Sequence, residues 1–566
     1  MSNQKENASS CEPYALAMYD VRSKQDFIFR TDKLQEIVGA SWIIRDVFKD
    51  YLFPAAKELT NADESCNKGI YSYKDNTETE RCNDFSAERF EEHLKDGYIG
   101  EVVYDGGGNF LVVFKSEDVF REVTFEFTKR VMQSVGTLKV LATAVPVSDG
   151  FSDYAGDCEK LYAKHRIAEA EESNLSPWSC LPIVQVDRKS SQPLYDYEND
   201  ENSGWNHLGS EIRGKIQTKG VRGKLTKESY AKLKKYFEEY RRIHAAETQN
   251  LNAIEENYSK MNEDILDNIV TEKGEDSLLA VVYIDGNSMG AKVQEATKNS
   301  RSYEDSIKKL REFSKDIQAT YVDAGVEAAL KAVKDDEKAF RVVVYAGDEI
   351  NFIVNAHDAF DCAKNYLEYL QTEKDDASAC AGIAVFHSHT PYSDVYRIAE
   401  EACESGKQCM KSADLKNESF IDFHICQGAI GISLEAIREH ENSDIISRPW
   451  LIWNKDDDDA LNRNQESTEN ITAYEDVRQV IDLLNVFSRT NVKGLIQASS
   501  RSAADLDMDL NRMYSHLAKE KQTAIKEQWN AFMNISREKR RKMVYDASLA
   551  YDLWFDAGTR RQSHEE

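Results

Sequence analysis

From residue 280 onward, short runs that are apolar throughout alternate with longer stretches whose apolar residues recur at helical spacing. Residues 280–285 (AVVYID) predict a buried strand. Residues 342–345 and 352–354 predict the arms of a tight hairpin, and residues 380–386 and 420–425 predict two further strands. Between them, patterns such as SIKKLREFSKDI predict a helical region to about residue 333, then helices over 359–370 and 393–409. The order is β-α-β-β-α-β, the ferredoxin-like arrangement, in which an antiparallel sheet carries helices on one face.

The N-terminal part repeats this pattern. Residues 14–21 (YALAMYDV) predict a strand, a long helical stretch starts near residue 32, and residues 101–114 (EVVYDGGGNFLVVF) predict a second strand and hairpin. A helix over 116–133, a strand over 138–147 and a helix over 154–172 complete the copy. Laid on one another, VVYDGGGNF matches VVYAGDEINF and AMYD matches YIDG, which sets Gly107 and Gly108 against Asp348 and Glu349. The expected fold class is α+β, with a degenerate first unit over 1–175, a linker and helical region over 176–272, a second unit over 273–427 and a helical region over 428–566.

Composition narrows the function classes. With 100 acidic against 72 basic residues and a net charge of −28, the chain lacks the basic balance of a large nucleic-acid footprint. The basic run at 537–542 reads as a solvated helix face, and the DDDD run at 456–459 as a solvated loop. No signal peptide and no apolar run of about 18 residues is present, so a soluble cytoplasmic protein without membrane contact is expected. The ten cysteines form no CxxC pair, which signals neither a disulfide framework nor a standard zinc site.

The chemistry-bearing stretch is RVVVYAGDEINFIVN, residues 341–355. Adjacent Asp348 and Glu349 between two buried strands repel each other and resist desolvation unless a cation neutralises them. In the predicted topology Asp285 ends a neighbouring strand, so the three carboxylates converge as hard oxygen ligands suited to Mg²⁺ or Mn²⁺. Two such ions clamp the attacking and leaving oxygens of a phosphoryl transfer, here attack of a ribose hydroxyl on a nucleoside triphosphate. Gly286, Gly290 and Gly347 let backbone approach phosphate oxygens. Lys407 or Lys411, on the helix that follows, supplies a cation for the triphosphate.

These residues resemble a known family. VVYIDGNSMG, VVYAGDEINFIV, GIAVFHSHTPYSDVYRIAEEACESGK and FIDFHI are similar to the second Palm domain of the large polymerase-like subunit of type III CRISPR effector complexes, and more distantly to GGDEF diguanylate cyclases. YDVRSKQDFIFRTDKLQEIVGAS with YDGGGNFLVVF resembles the first Palm of the same subunit, and SRPW with LLNVFSRTNVKGLI its helical C-terminal domain.

The resemblance implies a synthase that joins ATP into cyclic oligoadenylate, with Asp285, Asp348 and Glu349 as metal ligands and Gly106, Gly107 and Gly108 near an acceptor nucleotide. Guide-RNA effector subunits are the implied partners, and no HD nuclease is expected ahead of the first Palm. Where the family commonly has GGDD this chain has AGDE, and Asn287 stands where a second Asp is common. The rival reading is a scaffold subunit with a degenerate nucleotide site. The pair His387 and His389 (HSHTP) is read as structural or nucleotide-contacting rather than as a metal site.

Overall fold

Runs such as LLAVVYIDG and ACAGIAVFH are apolar at successive rather than alternate positions, and such strands are stable only with both faces covered. The computed structural model describes residues 13–59, 67–74, 83–106, 109–171, 184–188, 190–220, 224–245, 269, 278–298, 300, 302–333, 341–373, 377–413, 415, 417–427, 432–440, 443–452 and 471–554. The chain forms two units, residues 1–247 with 288–319 and residues 248–287 with 320–566.

The first unit is built on strands β1 (Ala15–Arg22), β2 (Gly69–Tyr71), β3 (Tyr98–Gly106), β4 (Asn109–Phe114) and β5 (Lys139–Pro146), in the order β2-β3-β4-β1-β5. Helices α1 (Leu34–Val47), α2 (Ala87–Lys95), α3 (Glu117–Ser134) and α4 (Tyr154–Ala170) connect them. The expected first copy is present, but its helices cover both faces. Tyr19 meets Phe127 of α3 edge-on at 5.7 Å, whereas Thr143, on the opposite pleat, bonds His165 of α4 at 3.0 Å. A small ribbon of β6 (Leu194–Tyr195) and β7 (Leu225–Thr226) follows, with α5 (Ser210–Lys219) and α6 (Lys227–Ala245). Trp42 of α1 stacks on Tyr236 of α6 at 5.8 Å.

Two helices that follow the next strand in sequence also pack here, α7 (Met289–Lys298) and α8 (Tyr303–Ile317). Tyr303, Ile307 and Leu310 lie at helical spacing and join Leu16, Phe85, Phe90, Val103 and Phe151 in one buried cluster. Arg311, fully buried, pairs with Glu101 at 2.9 Å and lies over the Tyr73 ring at 4.8 Å. The second unit expected over 273–427 is therefore divided in its packing, because this apolar stripe finds its partners in the first unit.

The second unit carries a seven-stranded sheet in the order β14-β13-β12-β11-β8-β10-β9. Its strands are β8 (Leu278–Gly286), β9 (Arg341–Ala346), β10 (Glu349–Asn355), β11 (Ala379–His387), β12 (Ser419–Ile425), β13 (Trp450–Ile452) and β14 (Thr472–Ala473). Helices α9 (Gly325–Leu330), α10 (Ala359–Glu373), α11 (Tyr392–Ser412) and α12 (Leu434–His440) accompany them. The order β9-β10-β8-β11 repeats β3-β4-β1-β5 of the first unit, which bears out the internal repeat.

Two sequence expectations are corrected. The β-α-β-β-α-β unit closes at β11, and β12 is an addition that pairs parallel to it through α11, so the sheet is mixed. Helices also lie on both faces: Phe360 of α10 meets Phe423 at 5.3 Å, while α11 presses on the side of Gly382 and Phe420. A Cβ on Gly382 would lie 1.9 Å from the Ala399 carbonyl oxygen, so only glycine admits α11 this close.

The helical C-terminal region is present as α13 (Tyr474–Leu484), α14 (Arg489–Arg501), α15 (Ala503–Ser515), α16 (Lys519–Asn534) and α17 (Arg537–Trp554). Buried Asp546 of α17 accepts from the backbone of Ser447 and Arg448 and from the Arg448 guanidinium at 2.6 Å. The basic run at 537–542 is partly spent inside this bundle, since Arg540 is buried against Asp507. Among the described residues no helix is long and apolar enough to cross a membrane. The acidic run at 456–459 lies outside the described residues.

Candidate metal and nucleotide site

Strand β8 ends at the carboxylate that matters. Asp285 stands directly across from Glu349 in β10, and the Gly286 amide donates to the Asp348 carbonyl at 3.3 Å. Gly347 and Asp348 form the two-residue turn between β9 and β10, with Ala346 paired to Glu349. Gly347 has φ of 70°, the geometry a hairpin turn with glycine at its first central position requires. Glu349 is thus not at the tip: it opens β10, and its side chain leaves the sheet on the same face as Asp285.

Burial and mutual repulsion leave this cluster short of positive charge. Burial, then the Asp285 carboxylate, push Asp348 up to about 6, while Lys407 opposes the shift. Burial and Asp285 push Glu349 up to about 7, with Tyr396 opposing and Glu400 and Asp348 adding to it. These are the groups that the AGDE turn and the end of β8 bring together from positions more than 60 residues apart.

Helix α11 supplies the countercharge. The Lys407 ammonium donates to Asp285 Oδ2 at 2.6 Å and to the Gly286 carbonyl at 3.1 Å. Burial disfavours its charge, but Asp285 outweighs that and raises its pKa. On the same helix the Tyr396 hydroxyl donates to Glu349 Oε1 at 3.0 Å, and the Tyr392 hydroxyl donates to Asn351 Oδ1 at 3.0 Å. The Tyr283 and Tyr396 rings meet edge-on at 5.4 Å. Sequence reasoning missed the two tyrosines, although Tyr392, Tyr396, Cys403 and Lys407 share one helical face by their spacing.

The remaining candidates fall elsewhere. Lys411, one turn beyond Lys407, is 66% exposed and pairs with Glu404 at 3.9 Å. Gly290 lies in the first turn of α7 in the first unit, and Gly106 ends β3 there, while Gly107 and Gly108 lie outside the described residues. His387 and His389 are exposed at the end of β11 and join no ligand cluster among the described residues. Asn287 is 1% exposed and structural: its amide donates to Ser378 Oγ at 3.1 Å and to the Glu418 carbonyl at 3.0 Å.

The first unit holds the counterpart. Asp20 pairs across from Asn109, so Asn109 occupies the register place of Glu349, one residue from the sequence alignment that set Gly108 there. Asp20 is closed by Arg22 at 2.9 Å and faces His165 at 3.8 Å. Although burial opposes it, His165 beside it and the hydrogen bond from Arg22 hold its carboxyl below the usual range.

Among the described residues no three acidic, histidine or cysteine side chains stand as a ready ligand set. Asp285, Asp348 and Glu349 adjoin, but Lys407 holds the first and Tyr396 the last. The donor chemistry nonetheless fits a divalent cation, since three carboxylate side chains adjoin, an ammonium already sits against Asp285, and burial and the Asp285 charge raise the two acids beside it.

The three carboxylates stand at the ends of ferredoxin-ordered strands. Residues 278–418 match the family described as Cas10/Cmr2, second palm domain. The resemblance read from the sequence is thereby confirmed over those residues. No curated protein matches the chain. Among solved structures it is similar to a Csm1–Csm4 cassette in complex with AMPPNP, at 14% identity and TM-score 0.41, covering 72% of this chain and 55% of that one. It is also similar to the apo Csm1–Csm4 cassette, at 12% identity and TM-score 0.47, covering 96% and 71%. A Csm1–Csm4 subcomplex of the type III-A CRISPR-Csm interference complex matches at 11% identity and TM-score 0.43, covering 96% and 71%. The chain therefore spans little more than half of the first of these.

Proposed function

We propose that the chain is a metal-dependent nucleotidyltransferase of the oligonucleotide-cyclase kind, acting on ATP in CRISPR-associated antiviral defence in the cytoplasm. The observation that carries this reading is the convergence of Asp285, Asp348 and Glu349 in a segment that matches the Cas10/Cmr2 second palm domain. Asp285, Asp348 and Glu349 would hold Mg²⁺ or Mn²⁺, which when bound would supply the positive charge that phosphoryl transfer needs. The chain's own groups do the rest. Tyr396 fixes the Glu349 carboxylate, Lys407 offers a positive charge to triphosphate oxygens, and the backbone at Gly286 and Gly347 lets them approach without a side chain. Effector subunits carrying guide RNA are the expected partners.

One observation favours the scaffold reading. Asn287 is neutral and its side-chain nitrogen is committed to structural bonds, so the position of the family's second Asp contributes no carboxylate. The two readings part in one experiment. The purified protein is incubated with each labelled nucleoside triphosphate and Mg²⁺ or Mn²⁺, with and without RNA, and products are resolved by mass spectrometry. Cyclic or linear oligonucleotide, absent in Asp348→Asn/Glu349→Gln, is the expected result. Nucleotide binding without product under every condition leaves the scaffold.

A further inference from the structure

Lys407 does more in this structure than wait for a phosphate. Its side chain is 14% exposed, and its ammonium sits 2.6 Å from Asp285 Oδ2 and is anchored a second time on the Gly286 carbonyl. Asp285 is the carboxylate that touches all the others: it faces Glu349 across the ladder and repels Asp348. A cation that takes Asp285 as a ligand therefore competes with the ammonium for the same carboxylate.

The helix is unable to relax this contact by drifting away. Gly382 brings the backbone of Ala399 and Cys403 against β11, and Gly406 lies with its Cβ position 3.1 Å from Phe420 Cβ, so α11 is held against both β11 and β12. What remains free to move is the side chain itself, four methylenes with staggered alternatives.

We infer that Lys407 is the resident counter-ion of the metal-free site and that uptake of a divalent cation displaces its ammonium from Asp285. The inference rests on the metal-binding reading above and deepens it: the displaced ammonium becomes available to triphosphate oxygens only once a metal has entered. Metal loading and triphosphate capture are thereby ordered by one side chain.

Two measurements test this without reference to turnover. In the first, Mn²⁺ binding to the nucleotide-free protein is followed by the loss of the free-ion paramagnetic resonance signal, for wild type, Lys407→Gln and Asp348→Asn/Glu349→Gln. Lys407→Gln is expected to bind Mn²⁺ about three to ten times more tightly than wild type. In the second, reductive methylation of wild type is read lysine by lysine by mass spectrometry with and without Mg²⁺. Lys407 is expected to label slowly in metal-free protein and several-fold faster with Mg²⁺, while exposed Lys411 labels equally in both.

Saturable Mn²⁺ binding that is unchanged or weaker in Lys407→Gln, or Lys407 labelling that Mg²⁺ leaves unchanged or slows, overturns the displacement while leaving the metal site standing. No saturable binding to wild type or Lys407→Gln removes the metal site, and the displacement with it. The labelling experiment needs no variant, so it decides the matter even where Lys407→Gln does not fold.

Discussion

The sheets of the two units share strand order and cross-strand register yet hold opposite electrostatic states at the same strand end. In the first, Asp20 lies across from a neutral Asn109 and is satisfied by Arg22 and His165, so its carboxyl is held below the usual range. In the second, Asp285 lies across from Glu349 beside Asp348, and among the described residues Lys407 pairs with Asp285 at 2.6 Å. One site is closed by its own ion pairs; the other carries acids raised to about 6 and about 7. The topology delivers a carboxylate to a place, and the neighbours decide whether that place has chemistry left to do.

The largest expected effect separates the two acids outright. Asp285→Asn is expected to reduce nucleotidyl transfer at least about a hundredfold, as loss of a charge-stabilising group does, and to weaken Mn²⁺ binding. Asp20→Asn is expected to leave Mn²⁺ binding intact and to lower thermal stability, because Arg22 and Glu169 lose the third member of their network. Equal losses of Mn²⁺ binding from both substitutions would erase the distinction.

Next in size is a steric test. Gly382 pairs with Tyr283 in the second unit, and Thr143 takes that register place in the first, pairing with Met18 and bonding His165. The glycine lets the helix close on the sheet, while the threonine fills the space with a side chain. Gly382→Ala puts a methyl into the backbone of Ala399 and Cys403, which must move. A loss of about 3 kcal/mol or more, read by denaturant unfolding, and loss of Mn²⁺ binding as Lys407 and Tyr396 shift, are expected together.

The opposite charge states also give opposite pH dependences. Glu349 has a folded pKa raised to about 7 above its ordinary 4.5, so its folded state binds more protons and its charge destabilises the fold increasingly as pH rises from about 4.5 through 7. In metal-free buffer at pH 8, Glu349→Gln is expected to raise stability by roughly 1–3 kcal/mol, and the gain is expected to vanish near pH 4. Asp20 is depressed below its ordinary 3.8, so its contribution is present above that value and is lost as pH falls through its lower folded pKa. Asp20→Asn is therefore expected to cost stability at neutral pH and to cost nothing in strong acid. Thermal melts of both variants across pH 3–8 read the two slopes, and slopes of the same sign would contradict the assignment.

Much of this was legible in the sequence. The runs at 280–285, 342–345, 352–354 and 380–386 became strands within a few residues of expectation, because uninterrupted apolar runs flanked by Gly and Asp have few other fates. The convergence of Asp285 with Asp348 and Glu349 followed from strand order alone. What the pattern did not show was which face each helix covers, since β12 extends the sheet and gives α11 a face of its own. Nor did it show that the stripe Tyr303, Ile307, Leu310 packs in the first unit, because an apolar stripe does not name its partner. The register place of Asn109 was missed by one residue, because glycines match any turn and only the ladder fixes which residue faces Asp20.

The finest test of the contrast is a single hydroxyl. Tyr396 donates to Glu349, the one interaction among those shifting that acid that favours its charged form, against burial, Asp285, Glu400 and Asp348. Asn109, in the matching place of the first unit, is neutral and needs no such donor. Tyr396→Phe keeps the ring against Tyr283 and removes only the hydroxyl, so the fold is expected to lose no more than about 0.5–1.5 kcal/mol. Glu349 without its donor is expected to hold its proton to higher pH, which weakens Mn²⁺ binding a few-fold at pH 7 and less at pH 8.5, where the carboxylate ionises regardless. A deficit in Tyr396→Phe that is independent of pH would instead make the tyrosine a packing residue and leave the Glu349 charge set by burial and the neighbouring carboxylates alone.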